Sequence, residues 1–298
     1  MCPLAINFIG SAFGIGAGNA DTKFAATYFQ SLLNKQDTHF AYHWHKTISE
    51  LDNSNLAKHT HLAILNQNLA YLTQQLANQR YIPVNIGGDH SCAIGMWSGI
   101  STALNNNHNL GLIWIDAHLD AHTPTTSPTG NIHGMPAAAL LGYGHQQLTY
   151  ILNKNPKLKP HNLCYIGIRS YEMREHELLK NLGVKIFYIE DVIKYGFKKI
   201  LSKAFDLLLK TTSSIGLTID LDGLDPSDAP GVGTPVSNGI KANEFISAIK
   251  ELPIPKLVGL EIVEYNPTLD INNQTAQLML QIISALKPYV VGSATSQY

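Results

Sequence analysis

Short runs of apolar, β-favouring residues recur along the chain. They alternate with longer stretches in which apolar positions return every three or four residues. The first kind predicts strands at Leu4–Ile9, Tyr81–Ile86, Leu110–Ile115, Asn162–Ile168, Val184–Ile189, Ser214–Ile219 and Leu257–Ile262. The second predicts helices at Lys23–Leu33, Asn55–Asn78, Cys92–Asn105, Glu172–Leu182, Lys198–Leu209, Asn243–Glu251 and Thr275–Leu286. Strands that are apolar almost throughout are buried on both faces, so the expected fold is α/β, an open and mainly parallel sheet with helices on both faces. No Pro/Gly/Ser linker, charge block or internal repeat interrupts the pattern, which predicts one domain over residues 1–298. The Asn-, Gln- and His-rich stretch from Asn34 to Gln79 is polar, although its second half keeps a helical period.

The polar motifs fall at one place relative to the strands. Gly87-Gly88-Asp89-His90 follows Ile86, and Asp116-Ala-His118-Leu-Asp120-Ala-His122 follows Ile115. The segment from Arg169 to Glu175 follows Ile168, Asp220-Leu-Asp222-Gly-Leu-Asp225-Pro226 follows Ile219, and Glu264-Tyr-Asn-Pro267 follows the last strand. Ligands of open α/β sheets bind outside the carboxyl ends of the strands. Five strands are thus expected to deliver acids and histidines to one rim.

Composition sharpens this picture. Only 14% of the 298 residues are charged, against roughly 25% in ordinary soluble chains, while 45% are hydrophobic. Disorder needs the opposite balance. The formal net charge of −1 supplies no basic field for nucleic acid or an anionic membrane. Cys2, Cys92 and Cys164 are odd in number and widely spaced, as expected of reduced structural thiols. The first residues lack a basic segment before their apolar run, and no stretch of about 18 apolar residues occurs, so a cytoplasmic protein is expected.

In a chain this sparing with charge, clustered acids are conspicuous. Asp116, His118 and Asp120 are spaced i, i+2, i+4, and Asp220 and Asp222 i, i+2, which in extended backbone points each set to one side. Carboxylates converging on one rim repel unless a cation compensates them. Four aspartates with one or two histidines, and no thiolate, fit two divalent ions bridged by carboxylates. The oxygen-rich set favours Mn²⁺ over Zn²⁺, Co²⁺, Ni²⁺ or Fe²⁺. Water held between two such ions ionises near neutral pH and becomes a nucleophile, which points to metal-assisted hydrolysis.

These motifs resemble the arginase/agmatinase ureohydrolases, and among them bacterial-type arginases. The matching segments are Gly87-Gly-Asp-His-Ser91, Asp116-Ala-His-Leu-Asp120, Gly130-Asn-Ile-His-Gly134, Asp220-Leu-Asp-Gly-Leu-Asp-Pro226, Gly233-Thr-Pro235 and Glu261-Ile-Val-Glu-Tyr-Asn-Pro267, in family order from about Pro83 to Pro267. The resemblance implies a three-layer α/β/α fold and a dinuclear manganese site. It also implies hydrolysis of a guanidino group to urea and an amine, most directly L-arginine to L-ornithine and urea. By the same resemblance His90, Asp116, Asp120 and Asp220 would hold one metal, and Asp116, His118, Asp220 and Asp222 the other. Asp120 would orient the nucleophile and relay its proton, His133 would act as proton shuttle, and Glu264 would pair with the guanidinium.

The resemblance also places His122, Thr129 and Asn131 at the substrate's α-carboxylate, Glu172 and Glu175 at its α-amino group, and Thr234 at the pocket wall. Three of the five tail-recognition positions differ in type from arginases, which keeps agmatine or a guanidino acid as the alternative substrate. A single-zinc deacetylase-type amidohydrolase and an inactive binding or scaffold homologue are the other readings, both opposed by the full ligand set. Family members form trimers or hexamers, so a homo-oligomer is implied.

Other features carry plainer expectations. Gly14-Ile-Gly16-Ala-Gly18 lacks the phosphate-loop pattern and reads as a flexible loop. His43, His45, His59 and His61 read as a solvated surface, and Ser91 as the cap of the following helix. Asp89 and Asp225 are expected to make turn hydrogen bonds rather than metal bonds. Arg169 and Arg174 are read as tuning the pocket or contacting a neighbouring subunit.

Overall fold

One eight-stranded sheet, parallel throughout, organises the chain in the order β2-β1-β3-β8-β7-β4-β5-β6. The computed structural model describes residues 5–35, 40–50, 55–105, 109–254 and 256–291; Cys2 and the predicted strand start at Leu4 lie outside them. The strands are β1 (Ile6–Ala12), β2 (Tyr42–Ser49), β3 (Pro83–Gly87), β4 (Leu110–Ile115), β5 (Leu163–Ile168), β6 (Lys185–Tyr188), β7 (Ser214–Asp220) and β8 (Leu257–Val263). The main helices are α1 (Ala25–Lys35), α2 (Lys58–Asn78), α3 (Ala93–Ala103), α4 (Pro136–Leu140), α5 (Gln146–Thr149), α6 (Met173–Asn181), α7 (Ile189–Tyr195), α8 (Phe197–Leu208), α9 (Ala242–Glu251) and α10 (Gln274–Val290).

Alternation along the strands divides the interior into two cores. Ile113 and Ile115 of β4 face a layer built from α1 and α7–α10, whereas Leu110, Leu112 and Trp114 face a layer built from α2–α6. The period of two sends neighbouring side chains to opposite faces, and every residue of β4 is buried. The expected α/β fold with helices on both faces is what forms. Among the described residues no helix is long and apolar enough to cross a membrane.

Seven predicted strands form near their expected positions, and β2 was not expected. Its sequence, YHWHKTIS, is polar because it is an edge strand whose His43, His45 and Lys46 stand exposed. Its partner face is read through Trp44, stacked on Phe8 of β1 with ring centroids 5.7 Å apart. The histidine surface also needs correction at His61, which is buried on the inward face of α2 with Leu62 and Leu65. The short helices α4, α5 and α7 were missed because one or two turns are too few to show a period.

Register aligns the strand ends that matter. Ile115 of β4 pairs with Ile219 of β7, which pairs with Ile262 of β8, which pairs with Ile86 of β3. The chain leaves these four central strands at one level, and Asp116, Asp220, Glu264 and His90 follow within a few residues. β3 and β4 are consecutive in sequence yet separated by β8 and β7, a crossover that opens the crevice in which α/β proteins bind ligands.

Candidate metal centre and active site

The floor of the crevice is built by three tight turns. At the end of β3 the Asp89 carboxylate accepts from the Ser91 amide and hydroxyl and, through its other oxygen, from the Gly16 amide at 2.9 Å. Asp89 thus caps the turn, and Ser91 donates to it rather than capping α3. Gly88 is required by close approach: a Cβ there would lie 1.9 Å from the Phe13 carbonyl oxygen. At the end of β4 the Asp116 carboxylate accepts from the His118 amide at 2.6 Å and the Trp114 indole at 2.8 Å. At the end of β7 Asp220 accepts from the Asp222 amide at 2.9 Å, and Asp222 accepts from the Thr234 hydroxyl at 2.9 Å. Asp120 (φ 48°) and Glu264 (φ 63°) both occupy the left-handed region that disfavours residues with a Cβ. Such backbone persists where surrounding structure over-determines it, and it clusters at working sites.

Two groups of donor atoms result. His90, Asp116, Asp120 and Asp220 bring one atom each within 4.8 Å of one another, and so do Asp116, His118 and Asp222. Asp116 belongs to both, and Asp220 is gathered with the first group only. His90 Nδ1 lies 3.4, 3.0 and 3.1 Å from oxygens of Asp116, Asp120 and Asp220, yet it is buried and makes no hydrogen bond. His118 Nδ1 lies 3.1 Å from Asp222 and 3.6 Å from Asp116. A nitrogen surrounded by carboxylates but bonded to none marks a centre that all of them address.

The electrostatics agree. Burial, then the neighbouring Asp222 and Asp116, hold Asp220 well above the ordinary carboxylate range. Burial and Asp116 push Asp120 up to about 6. Burial opposes a charged His90, but Asp116, Asp120 and Asp220 outweigh it and hold the imidazole well above its ordinary value. A divalent ion would compensate the negative charge that burial and mutual repulsion disfavour at Asp120 and Asp220. Oxygen-rich donors with two imidazoles, on residues already fixed by backbone amides, fit such an ion.

Above the floor, the cleft is lined by His118, Asp120, His122, Asn131, His133 and Glu264, among others, and encloses about 130 Å³, room for a small polar molecule rather than a polymer. His133 Nδ1 lies 3.1 Å from Glu264, whose same oxygen accepts from the His90 amide at 2.8 Å. Burial lowers the affinity of His133 for a proton, but Glu264 outweighs it and brings the imidazole up to about 9. At the outer end His122 Nε2 lies 2.9 Å from Glu172 and 3.6 Å from Glu175. Glu175 is buried, accepts from the amides of Ala121 and Glu172, and is pushed up to about 8 by that burial. Thr129 is exposed and accepts from the Asn131 amide at 3.2 Å, and Thr234 stands at the wall. The residues expected for metal binding, catalysis and substrate recognition are all gathered at this one crevice.

Two supports were not foreseen. The Gly14–Gly18 loop is pinned rather than free: the amides of Gly14 and Ile15 donate to Glu50 at 2.7 Å, and the Gly16 carbonyl accepts from His133. Arg169 spreads its guanidinium over the backbone carbonyls of Asp222, Gly223, Val236 and Ser237, clamping the loops that carry Asp222 and Thr234. Its place directly after a buried strand was the only trace of this in the sequence. Asp225 closes its own turn by accepting from Ser227 and Gly239.

Comparison with known proteins gives the same reading. A profile of the arginase family matches residues 4–287. The arginase of Bacillus caldovelox is 40% identical over 240 residues, 80% of this chain and 79% of that protein. The crystal structure of Bacillus subtilis arginase superposes with a TM-score of 0.85 at 32% identity, covering 98% of this chain and all of that one. Entamoeba histolytica arginase, solved in complex with L-ornithine, superposes with a TM-score of 0.86 at 29% identity, covering 96% and 99%. Likeness of sequence and of backbone thus coincides with a crevice whose donors address a divalent cation, and this chain belongs to the arginase family.

Proposed function

We propose that this chain hydrolyses L-arginine to L-ornithine and urea at a centre of two Mn²⁺ ions held by His90, Asp116, His118, Asp120, Asp220 and Asp222. The observation that carries the reading is the pair of donor groups sharing Asp116, with the unbonded His90 Nδ1 at the centre of one. When bound, such ions supply Lewis acidity and lower the pKa of water, so that a hydroxide nucleophile is available near neutral pH.

The chain's own side chains then divide the work. Glu264 accepts from the substrate guanidinium, a planar cation that a carboxylate matches in charge and hydrogen bonding. In the free protein His133 Nδ1 is partnered by Glu264, 3.1 Å away; the arriving guanidinium takes over that partnership and leaves His133 to hand a proton to the departing amine. Asp120 orients the attacking water through its carboxylate and accepts its proton. Thr129 and Asn131 face the substrate's carboxylate, and Glu172 and Glu175 its ammonium, with His122 between them. Arginases supply the substrate by likeness: the Entamoeba histolytica relative was solved with L-ornithine.

One observation favours a second reading. His122 already engages a Glu172 oxygen, at 2.9 Å, which occupies an acceptor that an ammonium would use and suits a guanidino acid such as 4-guanidinobutyrate. A urea-release screen over arginine, agmatine and 4-guanidinobutyrate, with Mn²⁺, Co²⁺ and Ni²⁺ in parallel, decides between them. Arginine with Mn²⁺ should turn over fastest, and faster release from either other compound would overturn the arginine reading. The proposal extends to one domain over residues 1–298, a cytoplasmic setting consistent with buried free thiols at Cys92 and Cys164, and a homo-oligomer of three or six subunits, which light scattering would measure.

A further inference from the structure

Glu261 of β8 is a buried acid with no part in the chemistry above. Its Oε1 accepts from the Asn85 amide at 2.9 Å, and its Oε2 accepts from the Trp97 indole at 2.9 Å and the Thr218 hydroxyl at 2.9 Å. Asn85 is itself oriented by the Ser11 hydroxyl, which donates to its oxygen at 2.7 Å. An indole nitrogen and an amide nitrogen can only donate, so both carboxylate oxygens are acceptors. The Thr218 hydroxyl likewise donates, and spends its single hydrogen on Glu261.

That choice propagates. The Thr218 oxygen lies 3.2 Å from His90 Nε2. Having given its hydrogen to Glu261, it faces the imidazole as an acceptor, and Nε2 must carry the proton. In a neutral imidazole the lone pair then resides on Nδ1, the atom that is buried, unbonded and surrounded by Asp116, Asp120 and Asp220. Stacking on Trp114, with ring centroids 4.4 Å apart, fixes the plane of the ring.

We propose that Glu261 and Thr218 are positioning residues for the metal centre: the buried carboxylate, acting through the hydroxyl, selects the His90 tautomer that presents Nδ1 as a ligand. The proposal rests on the metal-centre reading. Without the relay, His90 is free to place its proton on Nδ1 and donate to the carboxylates, which blocks that position to a cation. Outer hydrogen-bond partners of metal-bound histidines typically change metal affinity about 10–100-fold.

The test titrates Mn²⁺ into the metal-free full-length chain against a competing chelator. Thr218→Val, which keeps the shape and removes the hydroxyl, should weaken the tighter Mn²⁺ site by about 10–100-fold. Thr218→Ser, which keeps the hydroxyl, should restore it to within about threefold of the unmutated chain. Glu261→Gln should weaken binding in the same direction, and unchanged affinity there would remove Glu261 from the relay. Wild-type affinity in a folded Thr218→Val chain would overturn the proposal. Nitrogen-15 spectra of the histidines in the Zn²⁺-loaded wild-type chain need no variant: a proton on His90 Nε2 is expected, and a proton on Nδ1 overturns the relay. A wild-type chain that binds no divalent cation would instead overturn the metal-centre reading.

Discussion

The floor and the rim of the crevice are made differently. On the floor, His90, Asp116, Asp220 and Glu264 leave four neighbouring strands at one level, are buried, and are each held by backbone amides or fixed partners. At the rim, Thr129 and Glu172 stand exposed on loops, and His122 touches Glu172 across a gap that sheet register does not control. The floor is tied to paired strand ends and backbone amides, so it suits chemistry that needs donor atoms in fixed positions. A rim on loops can change composition without disturbing the sheet, and on the proposed function it is there that substrate tails would be told apart.

The sharpest way to break this comparison is at Asp116, the carboxylate common to both donor groups. Asp116→Asn should lower urea release by about 10³-fold or more, equivalent to roughly 4 kcal/mol of transition-state stabilisation. Metal analysis should find fewer than two ions per chain. Full metal content with full activity would mean that the floor does not depend on its shared ligand.

Substitution at the rim should act on binding instead. Glu172→Gln is expected to raise KM for arginine about tenfold, roughly 1.4 kcal/mol, while leaving kcat within about twofold. Steady-state kinetics separate the two parameters, and a fall in kcat as large as that of a floor variant would erase the distinction. Effects on 4-guanidinobutyrate, which has no ammonium, should be smaller.

The smallest effect belongs to an acid beside the floor that is structural. Burial opposes ionisation of Asp225, but Ser227 and Lys241, 3.0 Å away, outweigh it and bring the carboxyl down to about 2. A depressed carboxyl stabilises the fold above its ordinary value near pH 4 and loses that contribution as pH falls toward 2. Asp225→Asn should therefore lower Tm by about 2–4 °C at pH 6, for a loss of about 1 kcal/mol. The gap from wild type should narrow below pH 4. A gap that widens on acidification would show that Asp225 is not held ionised by its turn.

Legibility in the sequence followed the range of the interactions. Asp116-x-His118-x-Asp120 and Asp220-x-Asp222 could be read directly, because extended backbone alone puts such residues on one side. The apolar runs of β4 and β7 announced a sheet buried on both faces for an equally local reason. β2 stayed hidden because an edge strand needs only a few inward residues, Trp44 and Ile48 among them, and its remainder looks like a solvated loop. The sequence places Arg169 beside the pocket or at a subunit contact, but says nothing of the carbonyls of Asp222 and Ser237, more than fifty positions away, to which it donates. Glu261 stood inside a quoted motif without a role, since nothing local says that its oxygens meet Trp97, Asn85 and Thr218.

The sequence by itself determined the fold class, the rim on which the acids fall and the donor types that address a cation. Each depends on residues a few positions apart, where backbone geometry is set by periodicity and turn chemistry. Only the tertiary structure decided how those segments meet: the register that levels four strand ends, the pairing of His122 with Glu172, and the relay from Glu261 to His90. These are contacts between residues distant in sequence, fixed by how two helical layers pack on one sheet, and no local pattern encodes them.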